Sequence, residues 1–251
     1  MRHGILVAFE GIDGAGKTTQ ARRLADLLES AGVTVVRTKE PTDGAIGMSI
    51  RQSATTGRMS PSDELEAFIQ DRREHVESKI APALVRGDVV IVDRYYYSTA
   101  AYQGARGFDA SEILARNEAF APQPDVLFVL DVPVSLGHER ISARGDRANL
   151  FEDADTLHRA RDVFRGLAGE HVAHLDATRS EDALALEIIT RFMNGPVFER
   201  TCAKAAYKSE CEPAYCTVRM AGCPWVDLNM RLAARGAYPT ATLPARASLP
   251  L

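Results

Sequence analysis

The sequence predicts an α/β fold in which a five-stranded parallel sheet lies between two layers of helices. Short apolar runs alternate with longer amphipathic segments over residues 1–194. Strands that alternate with helices pair in parallel, and right-handed crossovers place the helices on both faces of the sheet. Residues 195–251 depart from this pattern in composition, and we expect them to form a separate C-terminal extension.

Five short apolar segments are the predicted strands. A continuous run such as Val89-Val90-Ile91-Val92 is typical of a strand that is buried on both faces. The other four are residues 5–9, 33–39, 126–130 and 171–175.

Five amphipathic segments are the predicted helices. Pro61 suits the first turn of a long helix through residue 86, and Gly32 is a candidate C-cap for the first helix. The remaining limits follow from apolar periodicity. The helices cover residues 17–31, 61–86, 134–143, 153–167 and 180–193.

Composition narrows the class of protein. The 251 residues are 45% hydrophobic and 25% charged, as in ordinary globular proteins. A net charge of −4 gives no cationic field for nucleic acid or an anionic membrane, and no apolar run of eighteen residues predicts a membrane span. The apolar run near the N-terminus is too short for a secretory signal. We therefore expect a cytoplasmic protein that binds neither nucleic acid nor membranes.

The C-terminal extension contains all four cysteines. Six of the twelve prolines also lie in it, so we place the boundary near residues 194–196. Four thiolates suit zinc or an iron–sulfur cluster, but the spacing has no C-x-x-C pair, so buried or unpaired thiols are the alternative. Disulfides are not expected in a reducing cytoplasm. The cysteines are Cys202, Cys211, Cys216 and Cys223.

The first strand leads directly into a glycine-rich loop. The eight residues of this loop, 11–18, match the pattern G-x-x-x-x-G-K-[ST] of a phosphate-binding loop, or P-loop. Gly11 and Gly16 permit backbone torsions that a β-carbon would block, so that successive N–H groups can cradle phosphate oxygens. Lys17 would reach the β and γ phosphates of ATP, and Thr18 would offer its hydroxyl to Mg²⁺. The alternative is a glycine turn with an incidental lysine, and the strand–loop–helix context argues against it. The expected phosphate-binding residues are Gly11, Ile12, Asp13, Gly14, Ala15, Gly16, Lys17, Thr18 and Thr19.

Further motifs follow the loop in a characteristic order. With them, the chain resembles the thymidylate kinase family of nucleoside monophosphate kinases over about residues 4–193. The motifs are Phe9–Gly14, Lys39-Glu40-Pro41, Phe68–Arg72, Asp93-Arg94-Tyr95, Ser98–Gln103, and Arg140–Arg147 with Leu150-Phe151-Glu152.

The resemblance implies a site for dTMP opposite the phosphate loop. Phe68 would stack on the thymine and Arg72 would donate to its carbonyl edge, since positions i and i+4 share one helix face. Taken alone, the same pair also fits a core phenylalanine with a surface arginine. Arg94 would bind the acceptor phosphate with its guanidinium fork. The implied dTMP-binding residues are Asp13, Glu40, Phe68, Arg72, Arg94, Ser98, Thr99, Tyr102 and Gln103.

The resemblance also implies the catalytic set. Lys17, Arg94 and Asp13 would lie at the reacting phosphates, and Asp93 would join Thr18 at Mg²⁺. Because Gly14-Ala15 supplies no arginine, a mobile lid would carry the last cation as Arg144 or Arg147.

Two departures from the family pattern bear on these roles. Lys39 and Leu150 both stand where relatives often have arginine. Because Leu150 supplies no arginine after the lid, the choice between Arg144 and Arg147 stays open.

The predicted function is therefore the phosphorylation of dTMP to dTDP with ATP as co-substrate and Mg²⁺ as cofactor, by a homodimer as is common among relatives. Two alternatives are another P-loop nucleoside or nucleotide kinase and a non-catalytic nucleotide-binding regulatory module.

Overall fold

A computed structural model describes residues 4–143 and 154–197. In chain order the elements are β1 (Ile5–Glu10), α1 (Lys17–Ser30), β2 (Val35–Lys39), α2 (Ala45–Thr56), α3 (Pro61–His75), α4 (Ala81–Arg86), β3 (Val89–Asp93), α5 (Tyr96–Gly104), α6 (Ala110–Glu118), β4 (Val126–Asp131), α7 (Val134–Ala143), α8 (Ala154–Gly166), β5 (Val172–Asp176) and α9 (Glu181–Phe192).

The five strands form one parallel sheet in the order β2-β3-β1-β4-β5. β1 lies at its centre, and all six of its residues are buried. Ile5 is aligned with Val89 of β3, and Val7 with Val126 of β4. The predicted α/β class and the five-stranded parallel sheet are thus confirmed.

The main apolar core consists of the strands and the helix faces packed on them. Leu24 and Leu28 of α1 and Ile188 and Phe192 of α9 are buried in it together with the strand residues. α1 and α9 pack on each other, while α5 packs on α8 and α6. The apolar periodicity that predicted these helices therefore reports the faces that cover the sheet.

Three details differ from the predicted elements. The second strand begins at Val35 rather than at residue 33. α2, α5 and α6 were not predicted, although Asp109 caps α6 by accepting hydrogen bonds from Ser111 N (2.8 Å) and Glu112 N (3.4 Å). The predicted helix 61–86 contains a π-helical turn, Val76–Ile80, between α3 and α4.

α9 runs into a second π-helical turn, Met193–Val197, which crosses the predicted domain boundary near residues 194–196. The division into a kinase domain and an extension stays a prediction. None of the helices within the described residues has the length and apolarity needed to cross a membrane.

Candidate active site

Three of the predicted site segments follow neighbouring strands. Because β3 lies between β2 and β1, the carboxyl ends of these strands are adjacent. Glu40 follows β2, Arg94 follows β3, and the phosphate loop, residues 11–18, follows β1. Backbone hydrogen bonds join these segments, from Glu40 N to Asp93 O (3.1 Å) and from Arg94 N to Phe9 O (3.0 Å). The sheet therefore gathers them at the edge where α/β proteins bind ligands.

The phosphate loop has the backbone that its glycines predict. Gly11 and Gly16 have φ angles of 134° and 92°, in the region that favours glycine. Gly16 is also the N-cap of α1, so the N-terminus of this helix faces the loop. The N–H groups of such a loop and helix start bind anionic oxygens.

The phosphate loop packs tightly against α7. A β-carbon on Gly14 would lie 2.3 Å from the backbone oxygen of Gly137, and one on Gly137 would lie 2.7 Å from that of Asp13. Arg140 on α7 donates to the backbone oxygens of Gly14 (3.4 Å) and Ala177 (3.0 Å). Arg140 therefore ties the loop and α7 to the turn after β5, a role that the sequence did not reveal.

Lys17 and Thr18 are the first two residues of α1, directly after Gly16. The side chain of Lys17 donates from Nζ to the backbone oxygen of Ile12 (2.8 Å). Burial, with repulsion from Arg94, lowers the pKa of Lys17 to about 8, although nearby carboxylates oppose the shift. Thr18 donates its hydroxyl to Oδ2 of Asp93. The other oxygen, Oδ1 of Asp93, is buried and has no hydrogen-bond partner among the described residues.

Arg94 is held by a carboxylate from the phosphate loop. Its φ of 67° is the one positive value of a non-glycine residue in the described part of the chain, and such strain is typical of functional sites. The guanidinium forms an ion pair with Asp13 and donates to Ser98 Oγ (3.2 Å), while Tyr102 donates to Asp13 Oδ2 (2.8 Å). Burial alone would raise the pKa of Asp13, but the charges of Arg94 and Lys17 outweigh it and lower the pKa to about 2. Asp13 is therefore ionised at neutral pH.

Glu10 is a site residue that the sequence analysis did not select. It is fully buried, and its Oε1 accepts hydrogen bonds from Tyr95 N (2.7 Å) and Ser98 N (3.0 Å). Its Oε2 accepts from the hydroxyl of Ser98. Burial raises the pKa of Glu10 to about 7, against the hydrogen bond from Ser98 and the charge of Arg94. Glu10 thus holds the start of α5 next to Arg94; its signal in the sequence was a charge at the end of an apolar strand.

A cavity of about 210 Å³ opens at this edge of the sheet. Arg51 of α2 contributes to it, and its guanidinium donates to the backbone oxygen of Pro41 (2.6 Å) and to Asp43 Oδ1 (3.0 Å). Arg51 was missed because α2 was not predicted. The cavity is lined by Asp13, Gly14, Gly16, Lys17, Thr18, Thr19, Lys39, Glu40, Pro41, Arg51, Asp93 and Arg94.

Arg72 lies in a buried polar network rather than on the surface. Its side chain is 1% exposed and donates to Glu40 Oε2 (2.8 Å), Asn117 Oδ1 (2.6 Å) and Thr99 Oγ1 (3.0 Å). The alternative of a surface arginine is therefore wrong. Phe68, one turn earlier on α3, is half-buried.

Glu40 links Arg72 to a second residue of α3. Its Oε1 pairs with His75 Nδ1 (2.9 Å), and His75 Nε2 pairs with Thr38 Oγ1 (2.7 Å). Both carboxylate oxygens of Glu40 therefore have protein partners, although Glu40 also lines the cavity.

Gln103 and Glu64 form a second buried pair beside this network. Gln103 follows Thr99 by one turn of α5 and donates from Nε2 to Glu64 Oε1 (2.6 Å). Oε1 of Gln103 is buried and lacks a hydrogen-bond partner within the described ranges. Glu64 also accepts hydrogen bonds from Arg58 and Arg106.

The lid and extension candidates lie outside the described residues. These are Arg144, Arg147, Leu150, Phe151, Glu152, Cys202, Cys211, Cys216 and Cys223. In residues 4–143 and 154–197, no group of three or more His, Cys, Asp or Glu side chains is placed to hold a metal ion.

Together, the parallel sheet, the phosphate loop at its central strand and the cations around one cavity define a P-loop phosphotransferase. The family model described as thymidylate kinase matches residues 9–188. A thymidylate kinase of Xanthomonas euvesicatoria pv. vesicatoria is 56% identical over 183 residues, which cover 72% of this chain and 80% of the relative. One of Xylella fastidiosa is 49% identical over 192 residues, which cover 74% and 92%. This chain belongs to the thymidylate kinase family. The predicted family and the predicted dTMP kinase activity are confirmed.

Proposed function

We propose that the residues around the 210 Å³ cavity transfer the γ-phosphoryl group of ATP to dTMP. The observation that carries this proposal is that a phosphate loop and two arginines from other segments of the chain line one cavity. Lys17 belongs to the phosphate loop, Arg94 follows β3 and Arg51 lies on α2, and all three line the cavity. A transfer between two phosphates needs cations at both, because both substrates are anionic.

On the donor side, the phosphate loop binds the β and γ phosphates of ATP. Its N–H groups and the start of α1 supply partial positive charge without side-chain rearrangement. Lys17 adds a full charge, and the phosphates favour its protonated form over the neutral form.

The residues next to the loop fit Mg²⁺. Thr18 offers a hydroxyl and Asp93 a carboxylate, whose Oδ1 has no partner among the described residues. Mg²⁺ in phosphate sites takes one or two such ligands and keeps several waters. When bound, it neutralises charge on the donor phosphates, while Thr18 and Asp93 determine where it lies.

On the acceptor side, Arg94 and Arg51 bind the phosphate of dTMP. A guanidinium fork matches two phosphate oxygens, and two forks give an orientation in line with the donor. Asp13 and Tyr102 hold Arg94 before substrate arrives, so that less ordering is needed during the reaction.

The thymine base meets the buried network on α3 and α5. Its O4 accepts a hydrogen bond and its N3–H donates one. The contacts of Arg72 with Glu40, Asn117 and Thr99 leave at least one of its five N–H groups for O4. Gln103 Oε1 accepts from N3–H, and Phe68 stacks on the ring.

The transition state is stabilised by charge and position, and no covalent protein intermediate is needed. Negative charge spreads over the equatorial oxygens of the transferred group, and Lys17 and Arg94 both line the cavity where that group would lie. Closure of the lid brings Arg144 or Arg147 to the γ-phosphoryl group as the third cation. The closed lid also excludes water, which would otherwise hydrolyse ATP.

A substrate panel tests the proposal. Purified protein is given ATP and Mg²⁺ with dTMP, dUMP, dCMP, dAMP or dGMP, and ADP release is measured by coupled assay. We expect the highest kcat/KM with dTMP. Equal rates with all five, or nucleotide binding without dTDP formation, would contradict it.

Two further predictions rest on the resemblance and the composition. The predicted homodimer is tested by size-exclusion chromatography with light scattering, which measures the mass of the particle in solution. A mass of about 27 kDa, that of one chain, would contradict the dimer. A metal in the extension is tested by elemental analysis and visible absorbance; metal-free protein with four titratable thiols would support unpaired cysteines.

A further inference from the structure

The buried pair of Gln103 and Glu64 has a directional hydrogen bond. An amide can be turned by 180° to exchange its donor and acceptor ends, so its orientation depends on its neighbours. Gln103 is fully buried, and one end of its amide lies 2.6 Å from Glu64 Oε1. An ionised carboxylate only accepts hydrogen bonds. The end that faces Glu64 must therefore be Nε2, and the other end must be the acceptor Oε1.

Two arginines keep Glu64 in its ionised form. Arg58 donates to Oε2 (2.8 Å) and Oε1 (2.9 Å), and Arg106 donates to Oε1 (2.8 Å). Burial alone would raise the pKa of Glu64, but the hydrogen bonds of Arg58 and Gln103 and the charges of both arginines lower it. The carboxylate therefore stays unprotonated throughout the physiological range.

The acceptor end of Gln103 is left without a partner within the described ranges. A buried acceptor without a donor costs free energy, which a ligand with a matching N–H recovers. Thymine and uracil carry N3–H, while cytosine has an unprotonated N3 that is itself an acceptor. A buried acceptor therefore favours the first two bases and repels the third.

We propose that Glu64 is a specificity-determining positioning residue, which fixes the amide of Gln103 with its oxygen toward the base and so excludes cytosine nucleotides. The proposal rests on the role of Gln103 given under Proposed function. Glu64 itself does not contact the substrate: it acts through Gln103.

The test compares kcat/KM for dTMP, dUMP and dCMP in Glu64→Gln with the wild type. The new amide can donate to Gln103 Oε1, so Gln103 can turn and present Nε2, which suits cytosine. We expect the dTMP:dCMP ratio to fall by about 10- to 100-fold. The dTMP:dUMP ratio should stay within about 2-fold, because both bases carry N3–H. A fall in all three values by one common factor would show a merely structural role and overturn the proposal.

A matched control is available two residues along α3. Glu66 pairs with Arg116 at 2.7 Å, but its side chain is 61% exposed. Glu66→Gln makes the same chemical change on the surface, and we expect both ratios to stay at wild-type values. A comparable loss of the dTMP:dCMP ratio in this variant would remove the explanation through Gln103.

Two further variants separate this proposal from the proposed function. Gln103→Leu should lower the dTMP:dCMP ratio; if it does not, the base contact of Gln103 is wrong. If Gln103→Leu lowers the ratio and Glu64→Gln does not, only the role of Glu64 is wrong. Should Glu64→Gln fail to fold, Glu64→Asp decides, because its carboxylate remains acceptor-only. The ratio should then stay within about 3-fold of the wild type, and a loss as large as that in Gln103→Leu would overturn the proposal.

Discussion

The phosphate side and the base side of the candidate site are built differently. On the phosphate side, Lys17, Thr18 and Arg94 face an open cavity, and one oxygen of Asp93 has no partner among the described residues. On the base side, Arg72, Glu40 and Glu64 are buried and hydrogen-bonded to one another or to neighbours. Substitutions on the phosphate side should therefore change activity and leave stability intact, whereas those on the base side should change both.

The largest expected effect is that of Lys17→Ala. It removes the ammonium group at the transferred phosphoryl, and we expect kcat to fall by about 10⁴-fold, as for the loss of a transition-state cation. The melting temperature should change little. Coupled ADP release and thermal unfolding measure the two quantities, with Lys79→Ala as a control for loss of a lysine. Near-normal turnover would contradict the phosphate-side assignment.

Arg72→Ala should give the largest loss of stability. It leaves the carboxylate of Glu40 buried without its main cation, which costs about 3–5 kcal/mol of unfolding free energy. Arg116→Ala, which breaks an exposed pair with Glu66, should cost less than about 1 kcal/mol. Denaturant unfolding of both variants measures the difference.

Arg72→Ala should also weaken dTMP binding more than ATP binding. Equal losses for the two substrates would remove Arg72 from the base pocket, and equal stability losses in the two arginine variants would contradict the contrast between the two sides.

Glu10, which accepts hydrogen bonds from Tyr95 N and Ser98 N, should make the free energy of unfolding depend on pH. Its pKa is raised from 4.5 to about 7 in the folded protein, so the folded state binds more protons than the unfolded state between these values. The unfolding free energy should therefore fall as the pH rises from 4.5 to 7, by about 3 kcal/mol from this group. Glu10→Gln cannot titrate and should lack this decline. Denaturant unfolding at several pH values compares the two proteins; identical slopes would contradict the assignment.

The smallest effect is expected for Arg94→Lys, which keeps the charge but loses the guanidinium fork. We expect kcat/KM for dTMP to fall by about 30-fold, since a point charge cannot bind two phosphate oxygens in a fixed geometry. KM for ATP should change by less than about 3-fold. A larger change for ATP than for dTMP would place Arg94 on the donor side.

The contrast between the phosphate side and the base side also explains which parts of the site could be predicted from the sequence. The phosphate loop is a local pattern, because its eight residues and the start of α1 are continuous in the chain. The apolar strands were also visible locally. By contrast, Arg72 meets Glu40, Asn117 and Thr99 across 27 to 45 residues of sequence, and no spacing rule connects them.

Three helices, α2, α5 and α6, were not predicted, and α2 and α6 were missed for different reasons. α2 has no side-chain cap and contains glycine, serine and threonine, so its propensity is weak and Arg51 could not be located. α6 begins at Ala110, and its N-cap Asp109, which accepts from Ser111 N and Glu112 N, is a helix start signal that is visible in the sequence.

The contact between Gly14 and Gly137 has a mechanical consequence. The backbones of the phosphate loop and α7 touch without intervening side chains, so neither can shift without displacing the other. Arg140 clamps the same junction to the turn after β5. The phosphate loop and α7 should therefore move as one rigid unit. A sub-ångström shift of the loop around the donor phosphates would then also displace the C-terminal end of α7 at Ala143. A side chain at residue 137 would collide with the backbone of Asp13 and force the phosphate loop and α7 apart. Such a substitution should therefore disturb the donor site, although residue 137 is assigned no contact with either substrate.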